Sequence, residues 1–538
     1  MYYSDKKPAP LSQGDIWFAL LIGLAALALY IRTLAPSLLW GDSAEFQTLS
    51  YTLGMTHPTG YATQIMLGKL FTLIPINNIA YRVNLMSAFF GALAVVETFL
   101  IVKLLVNSRV AALSASLVLM LTEGFWWRAL VAESYAPAAG MLGAVWLFFL
   151  LWRKTDQSTF LFLAGFTGGL SLGIHSTVVM SAAAVIAVMA VTTRKRTDWF
   201  QAAAGALLGV ALFLGLFFFL DYNDPPSSVY NSVFRMHLST LGLTPDQYDT
   251  PIERFTNIFP AGRFWTYYFT TPTEETNARL AEYISYFPIW AFALTILGAI
   301  YLFFGNHWRE GMYPAIAFLV IWGFAVTVAF SVYREFYVPI TVITSVWFGA
   351  GAAYLLSLPE KLSGRIFSQS NQEIPLATEK ESWRPSRLGG EGVLSIAVSI
   401  LLITLPIWNA RDNLTLAVQH GYTKFIRDNH IYPVFAPDKA IRDAKRIINK
   451  VEPNAIVFSD WDKLYSYIYT AQIEEGKTGI TFHEAWVGDE QILSATMLEY
   501  IEANIDSRPI YFTIEMPGLE EKYHVTRINE TLIRIERK

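Results

Sequence analysis

Long apolar runs separated by short polar stretches dominate the first 410 residues. A helix needs about 20 apolar residues to cross a hydrocarbon core. About eleven runs approach that length, near 15–34, 83–106, 110–127, 135–152, 160–174, 176–192, 198–220, 284–304, 312–332, 336–357 and 393–409. They predict a polytopic α-helical membrane protein. The pair at 160–192 is hardest to divide, because Gly168, Gly169 and Gly173 fit either a tight turn or close helix packing.

Between the first two runs the pattern changes. Ser43–Leu53 carries Phe46, Leu49 and Leu53 on one side, and Tyr61–Leu73 forms a second amphipathic stretch stopped by Pro75. These predict two helices at 43–73 lying in the membrane interface. Residues 358–392 are polar and aperiodic, which predicts a linker between a core at 1–357 and the last span. Beyond it, 410–538 turns soluble in composition. Helices at 439–450, 463–475 and 494–505 alternate with strands at 455–459, 479–483 and 509–514, before a hairpin at 524–535. That order predicts a small α/β domain.

Composition agrees. Of 538 residues, 53% are hydrophobic and 16% charged, against about 25% charged in soluble proteins. Lys6, Lys7, Lys103, Arg109, Arg153, Lys154, Arg194–Arg196, Arg309 and the 358–392 tract all fall on one side of the predicted topology. That side reads as cytosolic. The 35–82 loop and the C-terminal domain then lie outside. The first run lacks a small-residue cleavage site and reads as a retained helix. Aromatic clusters such as Phe125–Trp127 and Phe264–Tyr268 suit interfacial belts, and equally a site for lipid tails or sugar rings. With no cysteine, disulfides, thiolate metal sites and cysteine nucleophiles are excluded. A net charge of −4 argues against nucleic acid as a partner.

The chemistry concentrates in the first outer loop, Trp40-Gly41-Asp42-Ser43-Ala44-Glu45 followed by His57-Pro58-Thr59-Gly60-Tyr61. Asp42 and Glu45 have the spacing of a helix capping box, with Gly54 as the helix stop. Ionisable groups beside a membrane are also functional suspects. The two readings are compatible, since a cap fixes a carboxylate in one pose.

Four segments carry a family resemblance: WGDSAEF, GMTHPTGY, AYRVNLMSAFFGALAVV, and the stretch from Trp127 to VAESYAPAAG. They resemble a bacterial family known as domain of unknown function 2723, itself similar to the protein O-mannosyltransferases of the glycosyltransferase-C superfamily. The resemblance is good over 35–180 and thins beyond, with Ile174–Thr177 and Val457–Lys463 still similar. Ala44 replaces the usual Gly, and Thr59 and Ala62 replace prolines. The resemblance implies a glycosyltransferase-C-like fold in a bacterial inner membrane. It also implies transfer of a hexose, mannose by analogy, from a polyprenyl-phosphate donor to an acceptor hydroxyl on the outer face. The acceptor would be Ser/Thr of a protein, or a glycolipid. The position matching the family's catalytic base is Asp42.

The reaction needs a carboxylate to take the hydroxyl proton and a cation to receive the lipid phosphate. Arg128 and Arg82 are preferred over Lys69 as phosphate ligands, because a guanidinium binds phosphate in a bidentate fork. Arg334 is a further cation. Its neighbour Glu335 offers it a local ion pair. Glu133, with Tyr135 beside it, could pair with Arg128, orient the acceptor, or cap a helix. His57 suits a substrate donor or a turn contact, and His175 a donor-phosphate contact or packing. Glu45 reads as a structural partner. Asp460-Trp461-Asp462 has Asp-x-Asp spacing, but between a strand and a helix Asp462 reads as an N-cap. Asp42 and Glu45 alone are too few ligands for Mg²⁺, so no cofactor is expected and the reaction is expected to be metal-independent.

Two other classes remain open. A transporter or flippase would need charges at mid-membrane and broken helices in related halves. Here only Glu97 lies inside a span. An inert assembly subunit presenting its soluble domain is the third.

Overall fold

The computed structural model describes residues 10–259, 266–304, 308–329, 333–370, 390–486 and 492–538. Phe264, Trp265, Lys6 and Lys7 lie outside them.

The chain opens with helices α1 (Gln13–Arg32), α2 (Gly41–Thr52), α3 (Ala62–Thr72), α4 (Ile79–Val106) and α5 (Arg109–Leu121). Among the described residues six helices are long and apolar enough to cross a membrane. Three bent helix pairs pass the same test together: α5 with Glu123–Ala129, Thr273–Ser285 with Ile289–Phe304, and Val393–Asn409 with Arg411–His420. Two shorter apolar helices, Thr159–Gly173 and Ser176–Thr192, complete the set. Every one of the eleven apolar runs lies on one of these elements. By length and composition six to nine are spans, and the chain is an integral, multi-pass membrane protein.

Close packing explains part of the glycine pattern at 160–174. A Cβ on Gly169 would stand 2.5 Å from the main-chain oxygen of Ala206, and one on Gly205 would stand 2.0 Å from that of Phe162. The 159–170 and 196–223 helices therefore touch backbone to backbone, as small residues permit. The Tyr337–Ser370 helix continues through 358–370, and 371–389 lie outside the described residues.

After the Gly390–Asn409 helix the chain builds a five-stranded sheet of β1 (Ile456–Ser459), β2 (Thr481–Glu484), β3 (Ile510–Phe512), β4 (Tyr523–Arg527) and β5 (Ile533–Arg537). Its order is β2-β1-β3-β5-β4. β1 is parallel to both neighbours, and β5 is antiparallel to β3 and β4. All four residues of β1 are buried, as a central parallel strand covered on both faces requires. Alternation sends Ile456, Phe458, Ile510 and Phe512 to one face, where they pack with Met497 and Ile501. Val457, Phe482 and Tyr511 go to the other. There they share one apolar core with Leu464 and Tyr465, and with Ala44, Phe46 and Leu49 of α2.

That shared core changes the reading of α2. Residues Ser43 through Ser50 are all buried: the polar side turns to the span region, Ser43 to Glu133 and Gln47 to Asn84, and the apolar side meets the soluble domain. α3 keeps the amphipathic character, with Leu70 exposed and Ile65 buried.

Candidate active site

Gly41 has φ +57°, a left-handed conformation that glycine adopts without strain, and it turns the chain into α2. The N-cap is Trp40, which makes no side-chain cap bond. The expected capping box does not form, because the Glu45 carboxylate is engaged elsewhere. The helix ends on Leu53 in the left-handed region rather than on Gly54. Gly54 instead sits against the side chain of Leu49.

Two buried amides hold the chain leading into α2. Gln47 accepts the Leu39 N–H at 3.0 Å and donates to Asn84 Oδ1 at 2.8 Å. Asn84 donates in turn to the Ala35 carbonyl at 2.8 Å. Asp42, in the first turn of α2, is thus fixed to α4. Its Oδ1 accepts the indole N–H of Trp461, from the C-terminal domain, at 2.8 Å.

Glu45 lies one turn on, fully buried. One of its oxygens accepts the His57 backbone N–H at 2.8 Å, and the other meets His57 Nδ1 at 2.5 Å. Burial lowers the affinity of the imidazole for a proton, but the Glu45 and Asp42 carboxylates outweigh it and hold the His57 pKa up at about 9. Burial raises Glu45, and its imidazolium partner opposes that rise. The rings of Phe46, Tyr61 and Trp461 surround His57 at 6.1, 5.1 and 5.8 Å. His57 is therefore a member of the cluster through Glu45.

Glu133 closes the other side. The Ser43 hydroxyl donates to it at 2.9 Å. Burial first, and repulsion from Asp42 next, push its pKa up to about 7, with Arg128 opposing. It does not cap the Tyr135–Thr155 helix, whose N-cap is Ser134. Arg128 is buried, lies 3.0 Å over the Trp127 ring and 5.5 Å from that of Tyr135, and forms its ion pair with Glu335. The neighbour pair expected of Arg334 and Glu335 is therefore split, and Arg334 bonds Glu282 at 2.6 Å. Arg128, Arg334, Trp127 and Tyr286 line one cavity of about 580 Å³.

His175 packs between Tyr135 and Phe336, at 5.2 and 5.3 Å. Its Nδ1 accepts the Thr177 N–H and caps a short helix. Arg82 is not part of this group. Its guanidinium donates to the carbonyls of Thr72, Ile76 and Asn77 at 2.6–2.9 Å, clamping the turn after α3. Lys69 donates to the Tyr51 carbonyl. Asp460, rather than Asp462, caps the 461–468 helix by accepting the Lys463 N–H.

Asp42, Glu45 and His57 present ligand atoms within 4.8 Å of one another, and they form the group among the described residues with the makings of a metal site. The His57 nitrogen nearest Glu45 is already committed to that carboxylate. The residue that reading the sequence passed over is Trp461. Its signal in the sequence is the Val457–Lys463 segment, similar to the family pattern, where the flanking aspartates draw the attention.

Residues 42–199, which hold the Asp42 cluster and Arg128, match the family model described as "Protein O-mannosyl-transferase TMEM260 N-terminal domain". The chain resembles the protein O-mannosyltransferases. Mouse protein O-mannosyl-transferase TMEM260 is 29% identical over 176 residues, 32% of this chain and 25% of the relative. The Dictyostelium discoideum counterpart is 26% identical over 145 residues, 26% of this chain and 18% of the relative. The chain thus matches a quarter or less of the length of these curated relatives. Two solved structures of ArnT from Cupriavidus metallidurans, one bound to undecaprenyl phosphate and one apo, are similar throughout. TM-scores are 0.55 and 0.57 at 11% identity, covering 98% and 97% of this chain and 98% of each ArnT chain. At that identity the likeness establishes the fold, which is the glycosyltransferase-C fold with its C-terminal domain included.

Proposed function

We propose that this protein is a membrane glycosyltransferase that moves a hexose, mannose by analogy with its relatives, from a polyprenyl-phosphate donor to a Ser or Thr hydroxyl of a protein. One observation carries the reading: a half-buried Asp42, held by an indole N–H, sits with Glu45, Glu133 and His57 close to a buried arginine at the edge of a cavity. ArnT, the structural neighbour, was solved with undecaprenyl phosphate, which supports a lipid-linked donor here.

In this reading Asp42 takes the proton of the acceptor hydroxyl. The oxygen attacks the anomeric carbon as the bond to the lipid phosphate breaks. Arg128 receives the developing phosphate charge, leaving Glu335 to do so, and Arg334 lines the same cavity. A single displacement inverts the anomeric centre. Glu133 and the Glu45–His57 pair set the field around Asp42. Tyr135 and His175 shape the wall behind Arg128. The reading takes the reaction as metal-independent, because the His57 nitrogen facing the cluster is already committed to the Glu45 carboxylate and too few ligands remain for a divalent cation. The positive-inside pattern supports placing the site and the C-terminal domain on the extracytoplasmic face.

The test is transfer from a polyprenyl-phospho-mannose to a Ser/Thr peptide by purified protein in EDTA-containing buffer. The native chain is expected to be active. Asp42→Asn is expected to insert normally and lose at least about 10³-fold of the rate. Full activity in that variant, or strict dependence on an added metal, would overturn the assignment.

A further inference from the structure

A second cleft, of about 520 Å³, opens beside the α2 N-terminus. Trp40 and Gly41 form one wall. Lys439 and Asp443 of the Lys439–Ile448 helix and Asp462 and Lys463 of the Trp461–Ile468 helix form the other. Asp462 Oδ1 would be 3.7 Å from a Cβ on Gly41. Asp42 follows Gly41 directly, and Trp461, which bonds Asp42, directly precedes Asp462. Gly41, which has no side chain, thus stands between the cleft and the carboxylate. The cleft shares no lining residue with the Arg128 cavity.

A two-substrate transfer needs two approaches to one base. The Arg128 cavity holds two guanidinium groups, each paired with a glutamate that a phosphate would displace. The second cleft has a different make-up, being built largely on two helices of the soluble domain. Its lysines are neutralised locally, Lys439 by Asp443 and Lys463 by Asp460, while Lys439 also lies 5.7 Å over the Trp40 ring. Such walls suit a neutral, water-borne chain. Asp462, beside Gly41, offers an acceptor for a main-chain N–H, and Trp40 offers a face for a side chain to pack on. A lipid acceptor would find four charged side chains around it. We infer that this cleft is the acceptor site and binds an extended polypeptide segment, delivering its Ser or Thr hydroxyl past Gly41 to Asp42. The inference rests on the transferase reading and names the route of its second substrate.

The chain has no cysteine, so Lys439→Cys places one thiol at the cleft, where the side chain is half exposed. Ile528→Cys, beyond β4, places one at a reference position. Maleimide labelling of each full-length variant would be timed with and without a 12-residue Ala/Pro/Thr peptide, and again with a soluble oligosaccharide. The peptide is expected to slow labelling at position 439 at least fivefold and to leave position 528 unchanged, with or without donor. In parallel, Asp462→Lys is expected to raise the peptide KM about tenfold at unchanged donor KM. No peptide protection at 439, or protection by the oligosaccharide alone, overturns the cleft. Protection without any sugar transfer keeps the cleft as a peptide site and removes the transferase reading, so the two failures are separable.

Discussion

Trp461 acts on Asp42 through one indole N–H at 2.8 Å. That bond fixes which carboxylate oxygen remains free for a proton. A hydrogen bond to a charged group contributes about 1.5–3 kcal/mol. Trp461→Phe keeps the ring beside His57 and removes the donor. It is expected to lower kcat on the order of tenfold, with donor KM unchanged, in steady-state assays. Glu133 supplies a pH signature. Its pKa rises from an ordinary carboxyl value of 4.5 to about 7 in the fold, so the folded protein holds a proton that the unfolded chain has lost. The stability this contributes is full below about 4.5 and is lost as pH climbs through 7. Glu133→Gln removes the titration. Its Tm relative to the native protein is expected to rise between pH 5 and pH 8 in thermal melts, and a pH-independent difference would refute the assignment.

At the scale of elements, backbone contact between the 159–170 and 196–223 helices depends on absent side chains. The main-chain oxygen facing Gly205 cannot retreat without opening the Phe162 turn, whereas Gly215 in the same helix has nothing within 4 Å of its Cβ position. Alanine favours a helix over glycine by about 1 kcal/mol. Gly215→Ala is therefore expected to be neutral or stabilising. Gly205→Ala is expected to lose about 1–3 kcal/mol, seen as a lower Tm in detergent. α2 teaches a related lesson. Its one-sided Phe46, Leu49 and Leu53 fit an interfacial helix, but the opposite side carries Ser43, Gln47 and Ser50, and small polar residues fill a protein seam as well as they face water. Periodicity reports that a face is polar, and says nothing about what covers it.

For the whole molecule, the soluble domain is joined to the span region by bonds as well as by apolar area. The Tyr432 hydroxyl donates to the Thr33 carbonyl at 2.6 Å, and the Tyr469 hydroxyl accepts the Ala80 N–H at 3.1 Å. Replacing both by Phe leaves the rings and removes about 1 kcal/mol per bond. Limited proteolysis is expected to release a fragment carrying the sheet faster from that double variant, and an unchanged rate would show that apolar contact alone holds the two parts together.

The apolar runs decided by themselves that the chain is a multi-pass helical protein, because burying a polar backbone in lipid leaves a helix as the economical solution. Strand–helix alternation after 410 likewise decided the α/β domain, whose five strands lie where expected. The family resemblance, together with the chemistry such a transfer needs, singled out Asp42, Glu45, His57, Glu133 and Arg128, which sit within a hundred residues of one another. What the sequence left open depends on contacts between distant segments. Trp461 reaches Asp42 across 419 positions, and Arg128 finds Glu335 rather than Glu133. Arg82 spends its donors on a turn. No local pattern encodes such pairings, because charge and hydrogen-bonding capacity are satisfied by whichever partner the packed helices bring within reach. The carboxylates were legible from the start, and the tertiary structure decided that the soluble domain supplies the wall that holds Asp42.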